Sequence, residues 1–162
     1  MTLFDIVAAF EGCKLTAYKC PSGVWTIGYG ATTYVDGSKI QKGDKITQKD
    51  ADEMLRIMLE KFRADTARVV PATLPAGAVD ALTSFAFNCG LGALQRSTLL
   101  KKIKSNPLGL KGIKAEFLKW NKSNGRELPG LTNRRLKEYK MYEDAILLQY
   151  SKYELLYMQP PK

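Results

Sequence analysis

FEGCKLTAYKCPSGVWTIGYG, residues 10–30, sets Glu11, Cys20 and Thr26 apart by eight and then five intervening residues. Just upstream, Thr2 can cap a first helical turn, and Asp5 returns the capping-box contact while suiting the positive end of the helix dipole. The pattern predicts a helix over roughly 3–11. Leu3, Val7 and Phe10 fall on one stripe at spacings of four and three, and Glu11 continues that stripe from Val7. An acid therefore stands where a core residue is expected, and Gly12 supplies the left-handed stop behind it. Partial burial and the negative end of the dipole both favour the protonated carboxyl, the state in which a general acid works.

Downstream, residues 17–20, a Pro21-Ser22-Gly23 turn and residues 24–30 read as a β-hairpin. Alternation puts Val24, Thr26 and Gly28 on one face and Trp25, Ile27 and Tyr29 on the other. Gly28 and Gly30 leave the Thr26 face nearly bare, which weakens a strand but lets a ligand approach the backbone. A trough lined by a hydroxyl and flanked by a half-buried acid suits a sugar.

Composition narrows the chemistry. With 162 residues, 45% of them hydrophobic, the chain makes one domain with a real core. It has no histidine, which excludes a Ser-His-Asp triad, a Cys-His pair, an HExxH site and histidine-ligated zinc. Its three cysteines cannot build a four-thiolate zinc site. No metal or cofactor is expected, and hydrolysis is left to carboxylate, thiol and hydroxyl groups, a set that fits a glycosidase.

Cys13, Cys20 and Cys89 are an odd count without a disulfide-scaffold spacing, so folding in a reducing cytoplasm is the expectation. Cys13 and Cys89 read as small buried hydrophobes, and Cys20 carries the functional claim. Pairing of Cys13 with Cys20 in an oxidising compartment would consume that thiol. Lys19 and the general positive field would favour thiolate at Cys20. An aspartate there would be charged at neutral pH, whereas an unperturbed thiol is mostly neutral.

Twenty-five basic against 16 acidic residues give a net charge of +9 and an attraction to polyanions. Lys101, Lys102, Lys104, Arg134, Arg135, Lys137 and Lys140 carry much of it. No recognised nucleic-acid motif accompanies the charge; another acidic polymer would use the same field without base readout, and each run taken singly reads at least as well as a solvated helix face. Asp5 and Glu11 interrupt the only apolar run near the start, and neither a signal peptide nor a membrane span is expected.

The Glu-x8-Cys-x5-Thr spacing inside FEG…AY…P.G.WTIGYG resembles the phage-type lysozymes, or endolysins, of glycoside hydrolase family 24. SFAFNCGLGAL at 84–94, STLLKKI at 97–103 and LPGLTNRR at 128–135 match the same family in order, so the resemblance spans roughly residues 1–143. It implies an α+β lysozyme-like fold: a small antiparallel sheet lobe over about 13–46, an inter-lobe helix over about 48–69, and a mainly helical lobe of about 1–12 plus 70–162, with a cleft between the lobes. It implies hydrolysis of the β-1,4 bond between N-acetylmuramic acid and N-acetylglucosamine in peptidoglycan, with Glu11 as acid, Thr26 holding the attacking water and Cys20 as base, nucleophile or water orienter. Phe87, Ser97, Asn133 and Thr32 would flank the substrate. A single chain, made in the host cytoplasm and released to the wall by a holin-type partner, completes the expectation. Many members have histidine after GYG where this chain has Ala31, which puts any local ion pair anchoring the hairpin in doubt. A wall-binding protein without hydrolysis and a basic nucleic-acid binder are the alternatives from other classes.

The remaining chain reads mainly as helices. Asp36-Gly37 signals a turn that would bring residues 32–35 in as a third strand. Thr47 and Asp50 form a capping box for a long helix with Ala51, Met54, Leu55, Met58, Phe62 and Val69 on its apolar stripe, ending before Pro71. Further helices are expected at 76–89, 97–104, about 109–121 and 131 onward, with breakers at Pro107, Ser123-Asn124-Gly125 and Pro129-Gly130. After about residue 143, Ile146, Leu147, Tyr150, Tyr153, Leu156 and Tyr157 suggest a packing helix closed by Pro160-Pro161.

Overall fold

The structure, a computed structural model, describes residues 1–157. In chain order it contains α1 (Leu3–Glu11), β1 (Lys14–Lys19), β2 (Trp25–Gly28), α2 (Gln48–Val69), α3 (Ala76–Cys89), α4 (Leu91–Arg96), α5 (Thr98–Ser105), α6 (Ile113–Leu118), β3 (Lys122–Ser123), β4 (Arg126–Glu127) and α7 (Pro129–Tyr157). The chain divides into two compact units, one of residues 2–61 and one of Met1 with the residues from 62 onward. The expected lobes set residues 1–12 with the later helices; α1 instead falls in the unit that holds the hairpin. Only Gly12 and Cys13 separate it from β1, a link too short to carry it far.

In the first unit, both capping boxes form. The Asp5 amide donates to Thr2 Oγ1 at 3.1 Å and the Thr2 amide to Asp5 Oδ2 at 2.8 Å. Thr47 and Asp50 do the same for α2, at 3.0 and 3.1 Å. The hairpin is antiparallel, pairing Lys14 with Gly28, Tyr18 with Thr26 and Lys19 with Trp25, with a bulge between the first two pairs. The third strand does not form at residues 32–35. That segment folds back on itself at Asp36-Gly37, where the Tyr34 amide donates to Ser38 O at 2.8 Å and Gly37 takes a φ of +86°. The outer edge of β1 is met by residues 44–46 instead, through Ala17 N to Asp44 O and Ile46 N to Leu15 O, both 2.9 Å. A covered edge is protected from pairing with another chain.

Ile27, Ala31, Ile40 and Met54 form the buried cluster of this unit, with Trp25, Tyr34, Ile46 and Met58 packed against it. Burial of each large side chain stabilises by roughly 1.5–3 kcal/mol. Ala31, the departure from the family's histidine, is 5% exposed within this apolar setting, so no ion pair is called for there. The turn after β2 is held otherwise: Tyr29 Oη donates to Asp52 Oδ1 at 2.9 Å, and Gln48 Nε2 donates to both Asp52 and Tyr29, at 2.8 and 3.1 Å. The first turns of α2 thus splint the glycine-rich turn.

The second unit has a continuous core from α3 through α7, including Leu82, Phe85, Leu94, Leu99, Ile103, Ile113, Phe117, Tyr142 and Ile146. Phe85 meets Phe117 and Trp120 edge-on, at ring-centre distances of 6.0 and 5.2 Å. α3 and α7 approach so closely that a β-carbon at Gly77 would stand 2.9 Å from Ala145 Cβ. Arg134 and Arg135, expected in the surface field, are buried. They converge on Glu138, where Arg135 Nε stands 2.8 Å from Oε2 as an ion pair without hydrogen-bond alignment, and Ser84 Oγ donates to Oε1 at 2.7 Å. Burial pushes the Glu138 carboxyl up, a shift that the two guanidinium groups and Ser84 oppose only in part.

Three further expectations are revised here. Residues 91–96 form a separate short helix, α4. Asn124-Gly125, read as a breaker, makes the tight turn of the β3–β4 hairpin, with both residues at positive φ. α7 starts at Pro129, whose missing N–H costs nothing at a first helical position. The tail packs only at its beginning: Ile146 is buried and Tyr150 Oη donates to Leu108 O at 3.0 Å, whereas Leu147, Tyr153, Leu156 and Tyr157 are exposed. Pro160-Pro161 lies outside the described residues.

Candidate active site

The hairpin puts two of the three central residues, Cys20 and Thr26, on one face as diagonal neighbours. Tyr18 pairs with Thr26 across the strands, and the chain then closes a tight turn in which Gly23 N donates to Cys20 O at 2.8 Å and Cys20 N donates to Val24 O at 3.0 Å. Gly23 has a φ of +80°, a conformation for which its missing β-carbon is needed. Cys20 is half-buried, and its Sγ lies 2.9 Å from Ser22 Oγ. The Ser22 hydroxyl above all, then backbone hydrogen bonding from Val24 and a contribution from the Thr26 side chain, pull the Cys20 thiol down to about 7. Lys19 has no share in this, since its Nζ sits over the Trp25 ring, 5.5 Å from the centre.

Thr26 is buried, and its hydroxyl donates to Val24 O at 3.0 Å. That leaves the oxygen's lone pairs to accept from a water. The bare trough expected around Gly28 is absent. Gly28 is buried beneath α2, and a β-carbon there would meet Ala51 Cβ and Ile46 Cδ1 at 3.5 Å. The opening lies one pair further on, at Gly30, where nothing stands within 4 Å of a β-carbon position.

Glu11 ends α1, and Gly12 caps it at a φ of +66° with its amide donating to Ala8 O. The side chain is exposed, not half-buried as its stripe suggested. Leu3, Ile6 and Val7 are the buried residues of α1, and including Ile6 rotates the apolar face away from position 11. Glu11 therefore sits on the flank of that face with access to solvent and to a ligand.

Thr32 is exposed and lines a groove of about 380 Å³ with Gly30, Thr33, Met54, Met58 and Lys61, all within the first unit. The other three expected substrate residues belong to the second unit. Phe87 is half-buried on α3, its ring 5.1 Å from that of Phe62. Asn133 is exposed near the start of α7. Ser97 is buried at 4% exposure, and its hydroxyl is used both ways: it donates to Leu94 O at 2.7 Å and accepts from Leu100 N at 3.0 Å. Its place is the cap of α5.

All three cysteines are free thiols and half-buried. Cys13 takes a long 3.8 Å contact from Gln48 Nε2. Cys89 is more than the small hydrophobe expected, because Arg135 Nη1 donates to its Sγ at 2.8 Å, while burial pushes the thiol up. Ser22 joins the set only in the structure; its signal in the sequence is a hydroxyl two residues after the thiol, in a proline-glycine turn. Among the described residues no group of three or more acidic or thiol side chains could hold a metal ion, and no helix is long and apolar enough to cross a membrane.

A family model described as phage lysozyme matches residues 8–138. The endolysin of Acyrthosiphon pisum secondary endosymbiont phage 1 is 38% identical over 144 residues, covering 86% of this chain and 94% of that protein. The endolysin of Bacillus phage PZA is 36% identical over 143 residues, but the chain spans about half of its length, 53%. A SAR-endolysin of Haemophilus phage HP1 is 33% identical over 145 residues, covering 83% of this chain and 75% of that one. Among solved structures, the endolysin from Escherichia coli O157:H7 phage FAHEc1 superposes with a TM-score of 0.74 at 33% identity, covering 88% of this chain and 90% of that one. The muramidase domain of SpmX from Asticaccaulis excentricus gives 0.74 at 28% identity, covering 86% and 93%.

Proposed function

The chain belongs to the phage lysozyme family, and on that footing we propose that Glu11, Cys20 and Thr26 are its catalytic groups. It is an endolysin with muramidase activity on bacterial peptidoglycan, cutting the β-1,4 bond between N-acetylmuramic acid and N-acetylglucosamine to lyse the host at the end of phage infection. The observation that supports these residue roles best is the hairpin register, which pairs Tyr18 with Thr26 and closes Cys20 against Val24, so that Cys20 and Thr26 fall on one face as diagonal neighbours and the Thr26 side chain contributes to lowering the Cys20 thiol.

Glu11 gives its proton to the glycosidic oxygen as the C1–O bond breaks and positive charge develops on the sugar ring. A water held by the Thr26 oxygen attacks the anomeric carbon, and its proton passes to the Cys20 thiolate, with inversion as the outcome. A thiol ionising near 7 is matched to accepting that proton at neutral pH. Thr32, in the groove beside Gly30, contacts the glycan from the first unit. Ser97 acts only by holding α5.

The decisive comparison is wild type against Glu11→Gln on purified peptidoglycan, reading new reducing ends. The variant is expected to lose roughly 10²–10⁴-fold in rate. Equal activity would remove Glu11 from the mechanism, and new free amines without reducing ends would mean that a peptide or amide bond is cut instead.

The three catalytic groups all lie within residues 2–61 of one chain, which supports a monomer. Access to the wall is proposed to run through a holin-type pore. Expression with and without such a pore protein tests this, and lysis of equal speed in both would favour a route of the chain's own.

A further inference from the structure

We propose that Ser22 is a positioning residue for the reaction: its hydroxyl clamps the Cys20 sulfur and holds it in the ionised, water-facing state that the hydrolysis requires. The inference deepens the catalytic reading above and rests on it. Ser22 Oγ stands 2.9 Å from Sγ, a close approach for sulfur and oxygen. The turn holds the backbone on both sides of the pair, through Cys20 N to Val24 O at 3.0 Å and Gly23 N to Cys20 O at 2.8 Å, and so keeps the hydroxyl within reach of the thiol. Pro21 removes one backbone torsion from the same five residues.

Nearby charged groups do not supply what Ser22 supplies. On β1, Lys14 and Lys19 lie over the Tyr18 and Trp25 rings, at 4.2 and 5.5 Å. Asp44, from the segment paired to the outer edge of β1, accepts from Tyr34 Oη at 2.8 Å. Asp52 of α2 is held by Tyr29 and Gln48. Glu11 at the end of α1 is the remaining acid of the catalytic set. None of these figures among the influences on the thiol, which are the hydrogen bonds of Ser22, Val24 and Thr26 against a penalty from partial burial. The Thr26 hydroxyl is also engaged by Val24 O, and it is the Ser22 hydroxyl that leads the influences on the thiol.

A test that does not depend on hydrolysis separates this proposal from the one above. Iodoacetamide alkylation of Cys20 is followed across pH by mass spectrometry of the peptide that carries it, in wild type, Ser22→Ala and Ser22→Thr. The wild-type midpoint is expected at about 7. Ser22→Ala should shift it upward, lowering the alkylation rate at neutral pH roughly fivefold, and the acid limb of peptidoglycan hydrolysis should move by the same amount. Ser22→Thr keeps the hydroxyl and should restore both. An unshifted midpoint in Ser22→Ala would overturn the proposal, and so would an equal shift in both variants, which would assign the effect to turn geometry. Loss of hydrolysis in Cys20→Ser bears on the role of Cys20 alone and leaves this titration unaffected.

Discussion

Residues 2–61 and the residues from 62 onward hold themselves together by different means. The first unit relies on caps, a two-stranded hairpin and a splint of Tyr29, Asp52 and Gln48 around a small apolar cluster. The second has a continuous core with a buried cation–carboxylate network at its centre. Every group given a chemical step lies in the first. A small unit that presents an acid at the end of α1 and a thiol at the hairpin turn has little surface left to bury, so its order comes from directional contacts, each of modest strength. The helical unit carries no such duty and can spend its side chains on packing.

Substitutions should separate the two. Glu11→Gln sits at the top of the scale for activity, and it should cost at most about 1 kcal/mol of stability, the level of an exposed charge's contacts. Glu138→Ala should do the reverse. Removing the carboxylate leaves Arg134 and Arg135 buried without their shared counter-charge, a loss of about 3–5 kcal/mol by chemical denaturation. A loss below about 1 kcal/mol, the level of an exposed ion pair, would dissolve the contrast between the units.

The pH profile gives an intermediate effect. Cys20 has its pKa lowered, so the charged form is present above about 7 and is lost as pH falls through that value; the wild-type rate should fall on the acid side accordingly. In Cys20→Asp the carboxyl ionises near 4 in the ordinary case, and the acid limb should move down to about 4–5. A profile that stays centred near 7 in the variant would show that another group governs it. The smallest change is Thr47→Ala, which removes an exposed cap and should cost about 1 kcal/mol by thermal melting, with no change in the hydrolysis rate per folded molecule.

Local chemistry was legible in the sequence wherever one residue's reach settled the matter. Thr2 with Asp5 and Thr47 with Asp50 need only a three-residue offset, and both boxes form. The fold class and the family frame were legible through four motifs in fixed order. What escaped was whatever depended on a partner distant in sequence. Residues 32–35 have the composition of a strand, but residues 44–46 reached the edge of β1 instead. The stripe of Leu3, Val7 and Phe10 points Glu11 inward, but Ile6, buried beside Leu3 and Val7, turns the apolar face away from position 11. Arg134 and Arg135 counted toward a surface field in a tally of charges, and only Glu138 one turn further on and Ser84 on another helix reveal them as interior groups. Ser22 was hidden for the opposite reason, since a serine in a proline-glycine turn has a sufficient local explanation.

The close passage of Gly77 against Ala145 carries a practical implication for anyone who wishes to control when cells burst. A single methyl at position 77 must push two helices apart, and overpacking of this sort typically costs 1–3 kcal/mol. Gly77→Ala changes no residue of the first unit while lowering the temperature at which the second unit stays folded. Such a chain would accumulate as active enzyme in a culture grown cool and lapse when the culture is warmed, a thermal timer made by adding one carbon atom.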